Sequence, residues 1–347
     1  MRKPDAYLDH LFNKLDNQRE EQSEPWSQKS ERILTKLRML LGAFELPQRG
    51  DAGLEPVLLE RVELQDVIRE RVEFTTLEGL RMPAYVMIPQ SIEPGERMPG
   101  VLLWHGHGYG SRSLVGLEKD GSPKNNSDSS KPTDNIALEL ARKGLVVLVP
   151  EIVGFGDRML ERDERQDPSL GNSCYNLSTA LLMSGKTTAG LRTAEALRAA
   201  DYLFSRPEVS VHQLGNMGHS GGGMVASLSA AMDPRIKASV LGIYPNTYRG
   251  SILAMRHCLC NYIPGLLNHA EMPEVLGLIA PRPLFIEAGI YDPIFPVETT
   301  KTAIHFLRAL YDSMNADAHF GYDLFEGKHE YNGRMSYDWL AKTLQSI

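Results

Sequence analysis

Ser220 stands in Gly218-His219-Ser220-Gly221-Gly222, a G-x-S-x-G run that follows an apolar stretch and opens a helical one. A serine on such a strand-to-helix turn is exposed for attack on a carbonyl, and its neighbours must lack bulk because the turn is sharp. The helix start also aims N–H groups at the reacting centre. Two further groups complete the chemistry. His329, in Gly327-Lys328-His329-Glu330, has the residue type that can take a hydroxyl proton near neutral pH and return it. Asp292, in Tyr291-Asp292-Pro293-Ile294, follows a short apolar run ending at Gly289 and can orient that imidazole. The chain order Ser220, Asp292, His329 puts each group just after an expected strand. A fourth element, His105-Gly106-His107-Gly108, follows the apolar run 100–104. Backbone N–H groups of His107 and Gly221 are the expected oxyanion donors. Two His at i, i+2 can also hold a metal, but no Cys or acidic cluster lies near them in the sequence, so neither metal nor cofactor is expected.

Positioning these groups needs a scaffold. Val67 to Phe74 and Met82 to Ile88 read as paired strands around a turn at 77–80. Residues 100–104 and 145–149 are continuous apolar runs, as expected of strands buried on both faces. Helical stretches are expected at 134–143, 188–205, 224–232, 299–310 and 335–344. Strands are expected near 213–217, 236–243, 283–288 and 322–325. Strands alternating with helices imply an α/β fold with a mostly parallel central sheet, helices on both faces and an antiparallel hairpin at one edge. Residues 61–347 form the expected main domain, with an insertion at about 244–278. That insertion carries the C-x-C of Cys258 and Cys260, which reads as buried small hydrophobes. Residues 1–60 read as a helical extension, with Ile33, Leu37, Leu40 and Phe44 forming an apolar stripe that must pack on the main domain or on a second subunit. Residues 119–133 read as a polar surface loop.

Together these loops resemble the dienelactone-hydrolase-like and acetyl xylan esterase-like branch of the α/β hydrolases. The stretches that carry the resemblance are His105-Gly106-His107-Gly108, Gly218-His219-Ser220-Gly221-Gly222-Gly223, Ala280-Pro281-Arg282-Pro283-Leu284, Asp292-Pro293-Ile294-Phe295-Pro296 and His329-Glu330. The resemblance implies the α/β-hydrolase fold and a serine esterase acting on short-acyl esters such as acetylated carbohydrates. Two departures bear on substrate. Dienelactone hydrolases proper carry a cysteine nucleophile where this chain has Ser220. Sugar-deacetylating relatives often carry Arg-Gly-Gln where Gly154-Phe155-Gly156-Asp157-Arg158 stands here. The same triad also serves peptidases and hydrolases of carbon–carbon bonds, and a binding protein can be built on an inactive hydrolase.

Composition narrows the setting. The 347 residues are 42% hydrophobic and 23% charged, with a net charge of -7, which favours neither nucleic acid nor an anionic membrane as partner. A small-molecule ester is the expected partner, and a homo-oligomer is compatible. The first residues alternate polar and apolar and do not read as a secretion signal. Three cysteines, Cys174, Cys258 and Cys260, are too few for a disulfide framework, so a cytoplasmic location is expected.

Overall fold

A computed structural model describes residues 3–20, 24–45, 50, 52–93, 95–124, 135–167 and 169–347. The polar loop expected at 119–133 lies outside the described residues from 125 onward. Two helices come first, α1 (Asp5–Glu20) and α2 (Trp26–Leu41). Then follow β1 (Val57–Glu63), β2 (Val67–Leu77), β3 (Leu80–Pro89), β4 (Met98–Trp104), α3 (Ile136–Arg142) and β5 (Val146–Pro150). Next come α4 (Glu161–Gln166), α5 (Cys174–Met183), α6 (Thr188–Ser205), β6 (Val209–His219), α7 (Gly221–Met232) and β7 (Ile236–Gly242). The chain ends with α8 (Met272–Gly277), β8 (Leu284–Gly289), α9 (Val297–Ser313), β9 (Phe320–Phe325) and α10 (Ser336–Gln345).

The nine strands form one sheet in the order β1-β2-β3-β5-β4-β6-β7-β8-β9. β1, β2 and β3 pair antiparallel at one edge, and β3 pairs antiparallel with β5. From β5 through β4, β6, β7, β8 and β9 every pairing is parallel. This is the α/β-hydrolase architecture. The apolar runs behave as their composition demands: every residue of β5 is buried, and Leu102, Leu103 and Trp104 of β4 are no more than 1% exposed. Thr187 caps α6 by accepting from the Gly190 N–H at 2.9 Å, a contact worth roughly 1 kcal/mol.

The N-terminal helices pack on the main body. Ile33, Leu37 and Leu41 of α2 are buried in the same apolar cluster as the sheet and α6. Full burial of three such side chains stabilises by on the order of 6 kcal/mol, comparable with the net stability of a domain. Thr187 donates to the Leu41 carbonyl through Oγ1 at 2.9 Å, and Trp26 meets Phe306 of α9 edge to face. Arg249, in the segment between β7 and β8, pairs with Asp16 and lies over the Phe12 ring of α1. Leu40 is only partly buried, and Phe44 packs in a separate small cluster with Leu77 and Leu191.

Residues 1–60 are not all helical, because β1 begins at Val57. Its Val57, Leu58 and Leu59 are about half exposed on an edge strand, so its residues give no clean apolar–polar alternation. Helices α4 and α5 have no expected counterpart. α5 turns Cys174, Leu177 and Leu181 inward, but Tyr175 and Met183 are apolar and face out, so the inward stripe does not stand out in the sequence. No helix among the described residues is long and apolar enough to cross a membrane.

Candidate active site

Ser220, Asp292 and His329 all lie beyond the carboxyl ends of parallel strands. Ser220 directly follows β6, Asp292 follows β8 and His329 follows β9. Their separations in the sequence collapse because those three strands are close neighbours in one sheet.

The elbow is built as the glycines require. Ser220 takes φ 53° and ψ -121°, a region that side-chain-bearing residues rarely enter. Its N–H donates to the Gly242 carbonyl at 3.0 Å, and its own carbonyl accepts from Met224 N at 3.2 Å. A Cβ at Gly222 would lie 2.6 Å from the His105 carbonyl oxygen, and one at Gly218 would meet the Gly222 backbone. Both positions are therefore confined to glycine by close approach.

His329 Nε2 stands 2.9 Å from Ser220 Oγ, and His329 Nδ1 stands 2.7 Å from Asp292 Oδ2. The second oxygen of the buried Asp292 accepts N–H bonds from Ile294 at 2.8 Å and Phe295 at 3.0 Å. Those two bonds fix the carboxylate plane, so only one oxygen is left to face the imidazole. The Phe295 ring stacks on His329 with centroids 5.7 Å apart. The ionised carboxylate requires its proton partner on Nδ1, which leaves Nε2 free to accept from the serine hydroxyl.

The loop after β4 reaches the same place. Gly106 and His107 line the cavity beside Ser220 and Gly221. Among the described residues, no hydrogen-bond acceptor within the chain engages the N–H of His107 or of Gly221. His105 does different work. Its Nε2 accepts from the Ile152 N–H at 3.0 Å, so Nδ1 carries the proton and donates to the Gly106 carbonyl at 2.8 Å. Both nitrogens are occupied, and a metal held by His105 with His107 is thereby excluded. Glu151 accepts from Ser111 N at 3.1 Å and Ser111 Oγ at 2.6 Å, so it pins the loop after β4 and is not part of the serine–histidine pair. In the 154–158 stretch, Arg158 makes a buried double contact with Glu195, which also takes the Thr76 hydroxyl.

Sequence reasoning missed His219. It is fully buried next to Ser220, and neither ring nitrogen has a partner among the described residues. Burial drives its pKa well below that of an ordinary imidazole, and His329 adds to the effect, so the ring is neutral beside the serine. The cavity encloses about 550 Å³. Its far wall comes from the segment between β7 and β8, with Arg256, His257, Cys258 and Asn261.

A second grouping also departs from the sequence reading. Cys258 and Cys260 are not merely apolar filling: their sulfurs lie 3.3 Å apart, and Cys260 Sγ is 3.4 Å from His107 Nε2. Cys174, from the first turn of α5, joins them. The cysteine neighbours that the sequence withheld from His107 are supplied by the fold.

The match with known sequences rests on more than this geometry. The dienelactone hydrolase family model matches residues 127–319. YtaP of Bacillus subtilis (strain 168), which is named as a hydrolase, is 30% identical over 288 residues, covering 81% of this chain and 87% of that one. The chain belongs to the dienelactone hydrolase family. Among solved structures, a protein from Bacteroides fragilis NCTC 9343 named as an acetyl xylan esterase aligns with TM-score 0.69 at 17% identity, covering 86% of this chain and 75% of that one. A glucuronoyl esterase from Solibacter usitatus aligns with TM-score 0.62 at 16% identity, covering 91% of each chain. At those identities the structural likeness speaks for the fold. In this dienelactone hydrolase family member the residue at the strand-to-helix turn is a serine, Ser220.

Proposed function

We propose that the protein is a serine-dependent carboxylic ester hydrolase that works through an acyl-enzyme on short-acyl esters, acetylated carbohydrates among them. The observation that carries this reading is the continuous hydrogen-bonded line from Ser220 Oγ through His329 to the buried Asp292 carboxylate.

Ser220 Oγ attacks the ester carbonyl while its proton passes to His329 Nε2. Asp292 faces the resulting imidazolium and stabilises it without taking the proton. The carbonyl oxygen, now an anion, turns toward the N–H groups of Gly221 and His107, each donor lowering the barrier by roughly 3 kcal/mol. His329 returns its proton to the leaving alkoxide. Water then enters, gives its proton to His329, and attacks the acyl-enzyme to release the acid and restore Ser220. A neutral His219 suits this cycle, because a second positive charge would oppose formation of the imidazolium.

The cavity wall supports a small acyl group on a polar alcohol. Tyr109 and Phe295 give flat apolar surface, and Arg256, His257 and Asn261 give polar edges. Leu114, Ile243, Met255 and Ile294 add apolar wall for the acyl group, and the polar edges stand where an alcohol would leave. Each methylene that fits gains about 0.8 kcal/mol, whereas one that overfills a closed pocket costs on the order of 1–3 kcal/mol. With p-nitrophenyl esters of increasing acyl length, kcat/KM is expected to peak between acetate and butyrate and then to fall. A profile that still rises at octanoate would defeat the short-acyl reading, and turnover of aminoacyl anilides in preference to esters would make the protein a peptidase.

A further inference from the structure

We infer that the chain binds one thiophilic divalent cation, zinc foremost, through His107 Nε2 and the sulfurs of Cys174, Cys258 and Cys260, at the edge of the catalytic cavity, where Cys174 and Cys260 are buried and His107 and Cys258 reach the cavity wall. All three cysteines of the chain converge here from two distant segments. With the His107 nitrogen, their four donor atoms lie within 4.8 Å of one another.

The spacing is close enough for the four donors to share one ion after shifts of about half an ångström. A tetrahedral zinc with Zn–S near 2.3 Å and Zn–N near 2.0 Å separates two sulfurs by about 3.8 Å and a sulfur from a nitrogen by about 3.5 Å. The pairs here stand at 3.3 Å for Cys258 to Cys260 and 3.4 Å for Cys260 to His107. Those distances are far from the roughly 2.05 Å of a disulfide bond. The His107 ring is turned correctly for the task. Nδ1 faces Gly221, and Nε2 faces the sulfurs.

Charge gives the second, independent support. Arg192, 2% exposed, sends Nη2 to Cys174 Sγ at 3.2 Å and also donates to the Val153 carbonyl. Among the described residues no carboxylate pairs with it. Its remaining neighbours, the Val153 carbonyl and the Phe155 ring, are uncharged, so with neutral thiols the buried guanidinium would lack a counter-charge. Three thiolates around a divalent ion, with a neutral imidazole as fourth ligand, carry one net negative charge, which Arg192 balances. Asn261 Nδ2 adds a contact to Cys260 Sγ at 3.7 Å.

Three cysteines and one histidine fill a tetrahedron, so the ion would have no open position for substrate. It takes no part in ester cleavage. Its effect is to clamp the loop after β4, the start of α5 and the segment after β7 to one another. His107, the residue expected to offer an oxyanion N–H, is held in place by its own side chain.

The full-length protein, purified under reducing conditions without added metal, should contain close to one zinc per chain by elemental analysis. After the zinc is stripped with a chelator, titration with cobalt(II) alone should reach one equivalent. The bound cobalt should show the sulfur-to-cobalt charge-transfer and visible bands of a tetrahedral thiolate site, and zinc should displace it. Outer-sphere changes at metal sites weaken binding about 10- to 100-fold, so Cys258→Ser or Cys260→Ser should weaken it by more than about 100-fold. Cobalt affinity should be unchanged in Ser220→Ala, which separates this site from the ester chemistry. A stripped protein that retains its circular dichroism but shows no cobalt–thiolate bands would overturn the inference. So would a disulfide among the three cysteines in the reduced preparation, or metal binding that survives both serine variants.

Discussion

Ser220→Ala should lower kcat for p-nitrophenyl acetate by on the order of 10⁶-fold, roughly 8 kcal/mol of barrier, while leaving the fold intact. Among the described residues, the side-chain hydrogen bond lost is the one to His329. The remaining rate comes from oxyanion donors and binding, which need no hydroxyl. The backbone at Ser220 adds a stability prediction of opposite sign. A residue at φ 53° is strained by about 1–3 kcal/mol, and glycine has no such penalty. Ser220→Gly should therefore be as inactive as Ser220→Ala yet melt higher than either Ser220→Ala or the parent. Thermal denaturation of the three proteins side by side checks this, and a lower melting point for the glycine variant would mean that the strain relieved is smaller than glycine's own chain-entropy cost of roughly 0.5–1 kcal/mol. Because the serine and histidine act as a unit, adding His329→Ala to Ser220→Ala should bring almost no further loss.

Asp292→Asn should cost on the order of 10⁴-fold in kcat, about 5.5 kcal/mol, with little change in KM. The carboxylate has two oxygens with separate tasks. Oδ1 accepts from Ile294 and Phe295, and an amide oxygen can keep those bonds. The amide nitrogen then faces His329 Nδ1 and donates to it. The imidazole is thereby driven into the tautomer with its proton on Nε2, which can no longer accept from Ser220. Steady-state kinetics on purified Asp292→Asn decides this. Near-normal kcat would move the acid elsewhere, and Glu151, bound to Ser111, would be poorly placed to replace it.

What the sequence disclosed and what it withheld follow one physical division. Ser220, Asp292 and His329 each belong to a local pattern: an apolar run, a glycine or tight turn, then a polar group. Such patterns are set by residues a few positions apart, and the strand order of the α/β fold brings them together. The paired strands at the edge and the buried runs of β4 and β5 were legible for the same reason. The strand β1 was not, because it lies at an exposed edge and carries Val57, Leu58 and Leu59 without alternation. The thiol–imidazole cluster was not either. Cys258 and Cys260 sit at a single 3-10 turn, Leu259–Asn261, too short to show periodicity, His107 lies in a different loop, and Cys174 begins a helix whose exposed apolar residues mask its inward face. No short window contains two of those three segments. His219 was hidden by its position inside the motif: its neighbours announce the turn, and only packing reveals that its buried ring lies against Tyr331 with no hydrogen-bond partner for either nitrogen among the described residues.

The central claim is that Ser220 is the group acylated during turnover, with His329 activating it. The most direct measurement is covalent labelling of the full-length protein with a fluorophosphonate, followed by peptide mass spectrometry. The account predicts a single phosphonyl adduct on the peptide that contains Ser220, with labelling and ester hydrolysis lost in parallel as the probe is titrated. It also predicts that labelling is strongly slowed in His329→Ala. Hydrolysis that persists in fully labelled protein, or an adduct that maps to a residue other than Ser220, would contradict it.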